Sequence, residues 1–257
     1  MLKDLQDKHK NKMAFIVCAG PSLHFENVEL LKDYITIAVN SAVLKVPFCD
    51  YFVSDDEGIT RWNYYIEDLP LLNCRCLLYE DKLKKLAYHI HPDRVIFFKH
   101  KLWYNPKTKT KDPKGLVLTK DASLPIIGAR TSTGTAIHLA YIMGCNPIVL
   151  VGNDCCYKDY KRYYWEFSGE KKVTAAKSNK FDLVKLPLKL KQNKIIDKHC
   201  DDFLVYFKAL ENSMRQQKDL DLDLINISTG LFQLEFGENY ESLEQVIKIY
   251  GDKKDDR

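Results

Sequence analysis

Apolar and polar positions along the chain alternate in blocks. Short apolar runs recur at Ala14–Cys18, Ile35–Val39, Asp50–Ser54, Cys76–Tyr79, Val95–Phe98, Ile148–Val151 and Leu222–Ile227. Each is strand-length, and most end in Gly, Asn, Asp or Ser. Near-continuous apolar runs suit strands covered on both faces. Between them, Ala136–Met143 reads as a buried helix ended by Gly144, which adopts positive φ without steric cost. Asp201–Gln217 places Phe203, Phe207, Leu210 and Met214 on one face and reads as an amphipathic helix. Glu241–Tyr250 reads as a last helix, Val28–Leu31 as a helix after the Gly20-Pro21 turn, and Lys82–His89 as a short basic helix. Met1–Lys12 reads as a frayed helix or tail. The alternation predicts one α/β domain over 1–257: a Rossmann-like, mostly parallel sheet flanked by helices.

Polar residues gather at the predicted strand ends. Gly20, Pro21 and Ser22 follow the first strand, Asn40 the second, Asp55 and Asp56 the third, and Gly152-Asn153-Asp154 the apolar run at 148–151. Ser132 and Thr133 open a helix, and either is placed to cap it. Ligands of parallel sheets sit at such ends, and a helix N-terminus with hydroxyls is an anion site. The first loop is neither a P-loop, since the Lys-Ser/Thr pair is missing, nor the three-glycine dinucleotide fingerprint.

Charge is uneven. The chain is +4 overall, too little by itself to argue for nucleic acid. Lys158–Lys198 holds twelve Lys or Arg against five Asp or Glu, interleaved with Tyr160, Tyr163, Tyr164 and Trp165. A basic, aromatic segment beside an anion site reads as a lid-like insertion, 158–198, over a phosphorylated substrate. Asn105–Lys120 reads as a Lys-rich surface loop, and Gly251–Arg257 as a frayed tail. The eight cysteines have no zinc spacing, and no signal peptide precedes them, so free thiols in a reducing cytoplasm are expected. No apolar run reaches the length of a membrane span, and 46% hydrophobic residues provide for a substantial core.

Strand-Gly20-Pro21-Ser22-Leu23, Asn40 after the second strand, Thr131-Ser132 at a helix start and Gly152-x-Asp154 after a strand occur in that order. This ordered set, over about Ala14 to Thr229, resembles the bacterial sialyltransferases that use CMP-sialic acid. It also resembles a related group that includes the flagellin-modifying motility accessory factors and the archaeal 6-hydroxymethylpterin diphosphokinases. Ala19 departs from the Asn that often precedes the Gly-Pro-Ser in that family.

The resemblance implies nucleotide binding by Gly20, Ser22, Asn40 and Ser132; the turn, helix start and strand end add Pro21, Thr133 and Asp154 as candidates. It implies that Tyr157 and Tyr163, six residues apart, steady the departing phosphate and that His199 acts as general base. The implied donor is a nucleotide sugar, with a CMP-sugar favoured, and the implied acceptor a glycan or glycoprotein. No metal is then required. A second reading is a diphosphokinase that consumes ATP, with Mg²⁺ held by Asp55, Asp56 and Asp154. A third is a non-catalytic nucleotide- or RNA-binding module without a recognised RNA-binding signature. A homo-oligomer is compatible with each. His138, inside an apolar helix, reads as a packed core residue.

Overall fold

The structure is a computed structural model. It describes residues 1–101, 117–128, 130–174, 188–235 and 237–251, with the backbone of 104–105 and 110–111. Most of the Lys-rich loop, residues 175–187 of the expected lid and the tail after Gly251 lie outside the described residues.

The central sheet contains β1 (Ala14–Val17), β2 (Ile35–Val39), β3 (Tyr51–Ser54), β4 (Arg75–Tyr79), β5 (Val95–Phe98), β6 (Ile148–Val151), β7 (Leu224–Asn226) and β8 (Glu238–Asn239). Their order is 8-7-6-1-2-3-4-5, and every pairing is parallel. The sheet is Rossmann-like. Strand order reverses at β1, which has β2 on one side and β6 on the other, so a crevice opens at their C-terminal ends.

Alternation along each strand divides the core in two. Ala14 and Ile16 of β1 face a cluster that contains Ile137, Ala140 and Leu210, while Phe15 and Val17 face one that contains Phe52, Leu78 and Val246. The first face is covered by α1 (Ser132–Ile142) and α2 (Lys198–Gln216), and α3 (Leu243–Tyr250) packs on the second. From Thr133 to Ile142 every residue of α1 is buried, as a helix with no polar stripe requires.

His138 fits this core position. Its Nδ1 accepts from Ile127 N–H at 2.8 Å, and its Nε2 lies 2.9 Å from the Thr119 carbonyl. The ring thereby straps residues 117–127 to α1. Burial lowers its pKa to about 4, so it stays neutral.

Three expectations are corrected. The N-terminal residues are not a loose tail: Leu5 is fully buried, and the N–H groups of Asp7, His9 and Asn11 donate to the carbonyls of Ile142, Met143 and Gly144 at 2.8–2.9 Å. They thus satisfy carbonyls that the end of α1 leaves unpaired. Gly144 itself has φ +78°, as its place after the helix predicts. The segment after Pro21 forms two 3₁₀ turns, Pro21–Phe25 and Val28–Leu31, because Glu26-Asn27 interrupts it before an α-helix can propagate. Residues 80–86 make one α turn and one 3₁₀ turn rather than a helix to His89. Among the described residues, no helix is long and apolar enough to cross a membrane. All eight cysteines are unpaired thiols.

Candidate functional site

A cleft of about 980 Å³ lies over the C-terminal ends of β1, β2, β3 and β6. Gly20 turns the chain at the end of β1. Its N–H donates to the Gly152 carbonyl at 2.9 Å, and a Cβ there would collide with that carbonyl and with Asp154 Oδ2. The contact requires glycine for proximity, since its φ is an ordinary −65°. The Ser22 N–H donates to Asp154 Oδ2 at 2.7 Å, and the Ser228 hydroxyl donates to Oδ1. Asp154 therefore ties the turn after β1 to the loop after β7. Its burial raises the carboxyl pKa, partly offset by those donors.

The entrance of α1 forms the second wall. Thr131, not Ser132 or Thr133, caps it, and its Oγ1 accepts from Gly134 N–H at 2.9 Å. Ser132 donates to Asp55 Oδ1, and Thr135 donates to Asp55 Oδ2 at 2.9 Å. His100 Nε2 lies 3.2 Å from the same carboxylate. Burial works to raise the Asp55 pKa, but His100 and the two hydroxyls outweigh it and keep the carboxyl below its ordinary range.

Three buried polar atoms on residues that line the cleft have no hydrogen-bond partner: Asn40 Oδ1, Asn153 Nδ2 and Trp165 Nε1. Buried polar groups are almost always paired, so these three atoms are open to a ligand or water; orphaned atoms also occur away from the cleft, on Ser22, Tyr65, Asp68, His89 and Asn226. Asn40 adopts φ +52°, a conformation that Asn tolerates better than most side chains.

Residues 1–160 match the profile of the family described as 6-hydroxymethylpterin diphosphokinase MptE-like. The chain belongs to this MptE-like family. No curated protein sequence matches it. Over 98% of its length the MptE-like chain is similar in fold to the MAf glycosyltransferase from Magnetospirillum magneticum AMB-1, with a TM-score of 0.54 and 13% identity. It spans only 40% of that protein. Over 86% of its length it also aligns with 82% of the sialyltransferase CstII from Campylobacter jejuni, solved with cytidine-5'-monophosphate, at a TM-score of 0.42 and 15% identity.

The MptE-like chain brings most of the sequence-identified residues together. Gly20, Pro21, Asn40, Ser132, Thr133, Asp154, Tyr163 and His199 all line the cleft. Ser22 and Tyr157 line instead an adjoining cavity of about 220 Å³, which shares Pro21, Asp154 and Cys156 with the cleft. The Tyr157 hydroxyl donates to Asp197 Oδ2 at 2.9 Å, and burial together with that carboxylate pushes its pKa up. His199 sits in the first turn of α2, after its cap Asp197, and its exposed ring stacks near Phe203 at 6.5 Å.

Residues 158–174 of the basic segment are fastened down. Tyr164 N–H donates to the Ala19 carbonyl at 3.2 Å, and its hydroxyl donates to the Ser41 carbonyl at 2.9 Å. Lys45 bridges to Glu170 at 2.5 Å. Tyr163 stacks on Trp165 with 5.1 Å between ring centroids. Sequence reasoning missed His100 and Arg162, and named Asn153 at a strand end without a binding role. Asn153 carries the same strand-end signal as Asn40.

The diphosphokinase reading needs open carboxylate oxygens for Mg²⁺. Both oxygens of Asp55 and of Asp154 already accept hydrogen bonds, and Asp56 Oδ1 caps the next turn by accepting from Gly58 N–H at 2.8 Å. Among the described residues, no three His, Cys, Asp or Glu side chains are grouped to hold a metal. Asp55 and Asp154 would therefore have to share or release these partners to hold Mg²⁺.

Proposed function

We propose that the protein is a glycosyltransferase that moves a sugar from a nucleotide donor to an acceptor hydroxyl. The observation that carries this reading is the meeting of His199 and Tyr163 with the Gly20 turn, Asn40 and the α1 entrance around one cleft. The entrance of α1 at the cleft wall suits the phosphate, as helix N-termini do. Asn40 and Asn153 offer a free acceptor and a free donor to the polar edges of the nucleotide. In the reaction the bond from the sugar's anomeric carbon to the phosphate oxygen breaks. The acceptor oxygen bonds to that carbon, and its proton passes to the His199 ring acting as base. A CMP-sugar is the donor favoured by the sequence resemblance, with a glycan or glycoprotein as acceptor and a cytoplasmic setting.

The family description favours a second reading, transfer of diphosphate from ATP. It would require Asp55 and Asp154 to share or release their present hydrogen-bond partners. The two separate by thermal-shift titration with CMP, CDP, UDP, GDP and ATP, each with Mg²⁺ or EDTA, because a ligand specific to the folded state raises its stability. Turnover of the corresponding nucleotide sugars follows. The glycosyltransferase reading expects nucleotide release from a sugar nucleotide in EDTA. ATP consumption that EDTA abolishes, without sugar-nucleotide turnover, overturns it.

A further inference from the structure

We propose that Arg162 is the residue that binds the nucleotide phosphate and neutralises it as it departs, and that Tyr157 and Asp197 act by positioning it. This rests on the glycosyltransferase reading and changes the role that the family resemblance implies for Tyr157.

Arg162 lines the cleft beside Tyr163, with its side chain 20% exposed. Its guanidinium carbon lies 5.2 Å from the Tyr163 ring centroid, and Nη1 is 3.4 Å from Asp197 Oδ2. That distance is long for a charge-assisted bond, and a guanidinium carries five donors. Asp197 does not neutralise Arg162 alone. Its carboxylate is 1% exposed and also accepts from Tyr157 Oη and from Cys200 N–H, each at 2.9 Å. One carboxylate thus serves three donors and fixes the near side of the guanidinium, which leaves donors to meet an anion in the cleft.

The backbone around Arg162 is held as firmly. Its own N–H donates to Glu166 Oε2 at 3.1 Å. Tyr164, two residues on, bonds the Ala19 carbonyl immediately before the Gly20 turn. The charge is therefore anchored to the residue immediately before the Gly20 turn, at the cleft wall. Tyr157 keeps its phenolic proton and spends it on Asp197, so it orients the carboxylate that orients Arg162.

The test is paired titration of wild type, Arg162→Ala, Arg162→Lys and Tyr157→Phe with nucleosides and their 5′-monophosphates: cytidine and CMP, uridine and UMP, guanosine and GMP, adenosine and AMP. For the base that binds, Arg162→Ala is expected to lose the monophosphate's advantage over the nucleoside, about 10- to 100-fold, with nucleoside affinity unchanged. Arg162→Lys should recover part of it, since a point charge replaces a planar fork. Tyr157→Phe should give a smaller loss confined to the monophosphate. If Arg162→Ala does not fold, a monophosphate advantage in Arg162→Lys equal to wild type overturns the proposal. So does a retained advantage in Arg162→Ala, or equal loss for nucleoside and monophosphate, and in these cases the nucleotide reading stands. Failure of wild type to bind any of the eight compounds overturns both.

Discussion

The backbone N–H of Ser22 donates to Asp154 Oδ2 at 2.7 Å and so joins two segments 132 residues apart in sequence. The other oxygen accepts from Ser228, and Asp154 is 2% exposed. Three loops at the sheet's C-terminal edge are therefore registered by one carboxylate. Asp154→Ala should leave the Ser22 amide buried without a partner and cost roughly 1–3 kcal/mol for that group. Asp154→Asn should cost less, because its oxygen can still accept from Ser22 while its amide donates to the Ser228 hydroxyl. Urea denaturation of both variants checks this. Equal midpoints for the Ala variant and wild type would remove Asp154 as the link between the loops.

Gly134 lies inside α1, where Ala is ordinarily better than Gly by roughly 0.5–1 kcal/mol. Here the sign should reverse. A Cβ at Gly134 would collide with the Gly128 carbonyl, which is backbone and not free to swing away. Overpacking of this kind costs about 1–3 kcal/mol, so Gly134→Ala should lower the melting temperature and weaken nucleotide binding. A raised melting temperature would show that the loop before α1 yields.

His138 gives the fold a pH dependence with a definite sign. Burial depresses its pKa to about 4, against an ordinary 6.5. The unfolded chain therefore binds the proton first, and protonation opposes folding. The stabilising contribution of the neutral ring is complete above pH 6.5 and is lost progressively as pH falls from 6.5 through 4. The difference is on the order of 3 kcal/mol across that window. Urea midpoints between pH 7 and pH 4 should fall more steeply for wild type than for His138→Gln. Parallel slopes would mean that His138 does not carry the effect.

Strands β1 to β6 were legible because they are mostly apolar runs of four or five residues, several ended by turn formers, as β2 with Asn40 and β6 with Gly152 show; β8, two exposed polar residues, carries no such signal. The connections were less legible. The segment after Pro21 has helical spacing, but it is broken before one could extend, and periodicity over so short a stretch does not separate α from 3₁₀. At the head of α1, Thr131, Ser132 and Thr133 all carry hydroxyls. Only the backbone shows that Thr131 caps while Ser132 turns to Asp55. Arg162 was lost in a run of basic residues. Its distinction is its partner Asp197, thirty-five residues on, and a contact at that separation leaves no pattern in one sequence.

His199 supplies the sharpest test of the chemistry. Its position is set by the Asp197 cap of α2, whose Oδ1 accepts from Cys200 N–H at 2.9 Å, so the ring is presented to the cleft from a fixed first turn. The ring is exposed and stacks only loosely, near Phe203. Truncation should therefore leave stability nearly unchanged, as for most surface substitutions. If the ring takes the acceptor's proton, His199→Ala should lower kcat by about 100- to 10,000-fold. Affinity for the nucleotide should stay near wild type, because the turn, Asn40 and Arg162 remain in place. Steady-state turnover and nucleotide titration on the same preparation separate the two effects. A variant that turns over at the wild-type rate takes His199 out of the mechanism, whereas a parallel loss of turnover and nucleotide affinity makes it a binding residue.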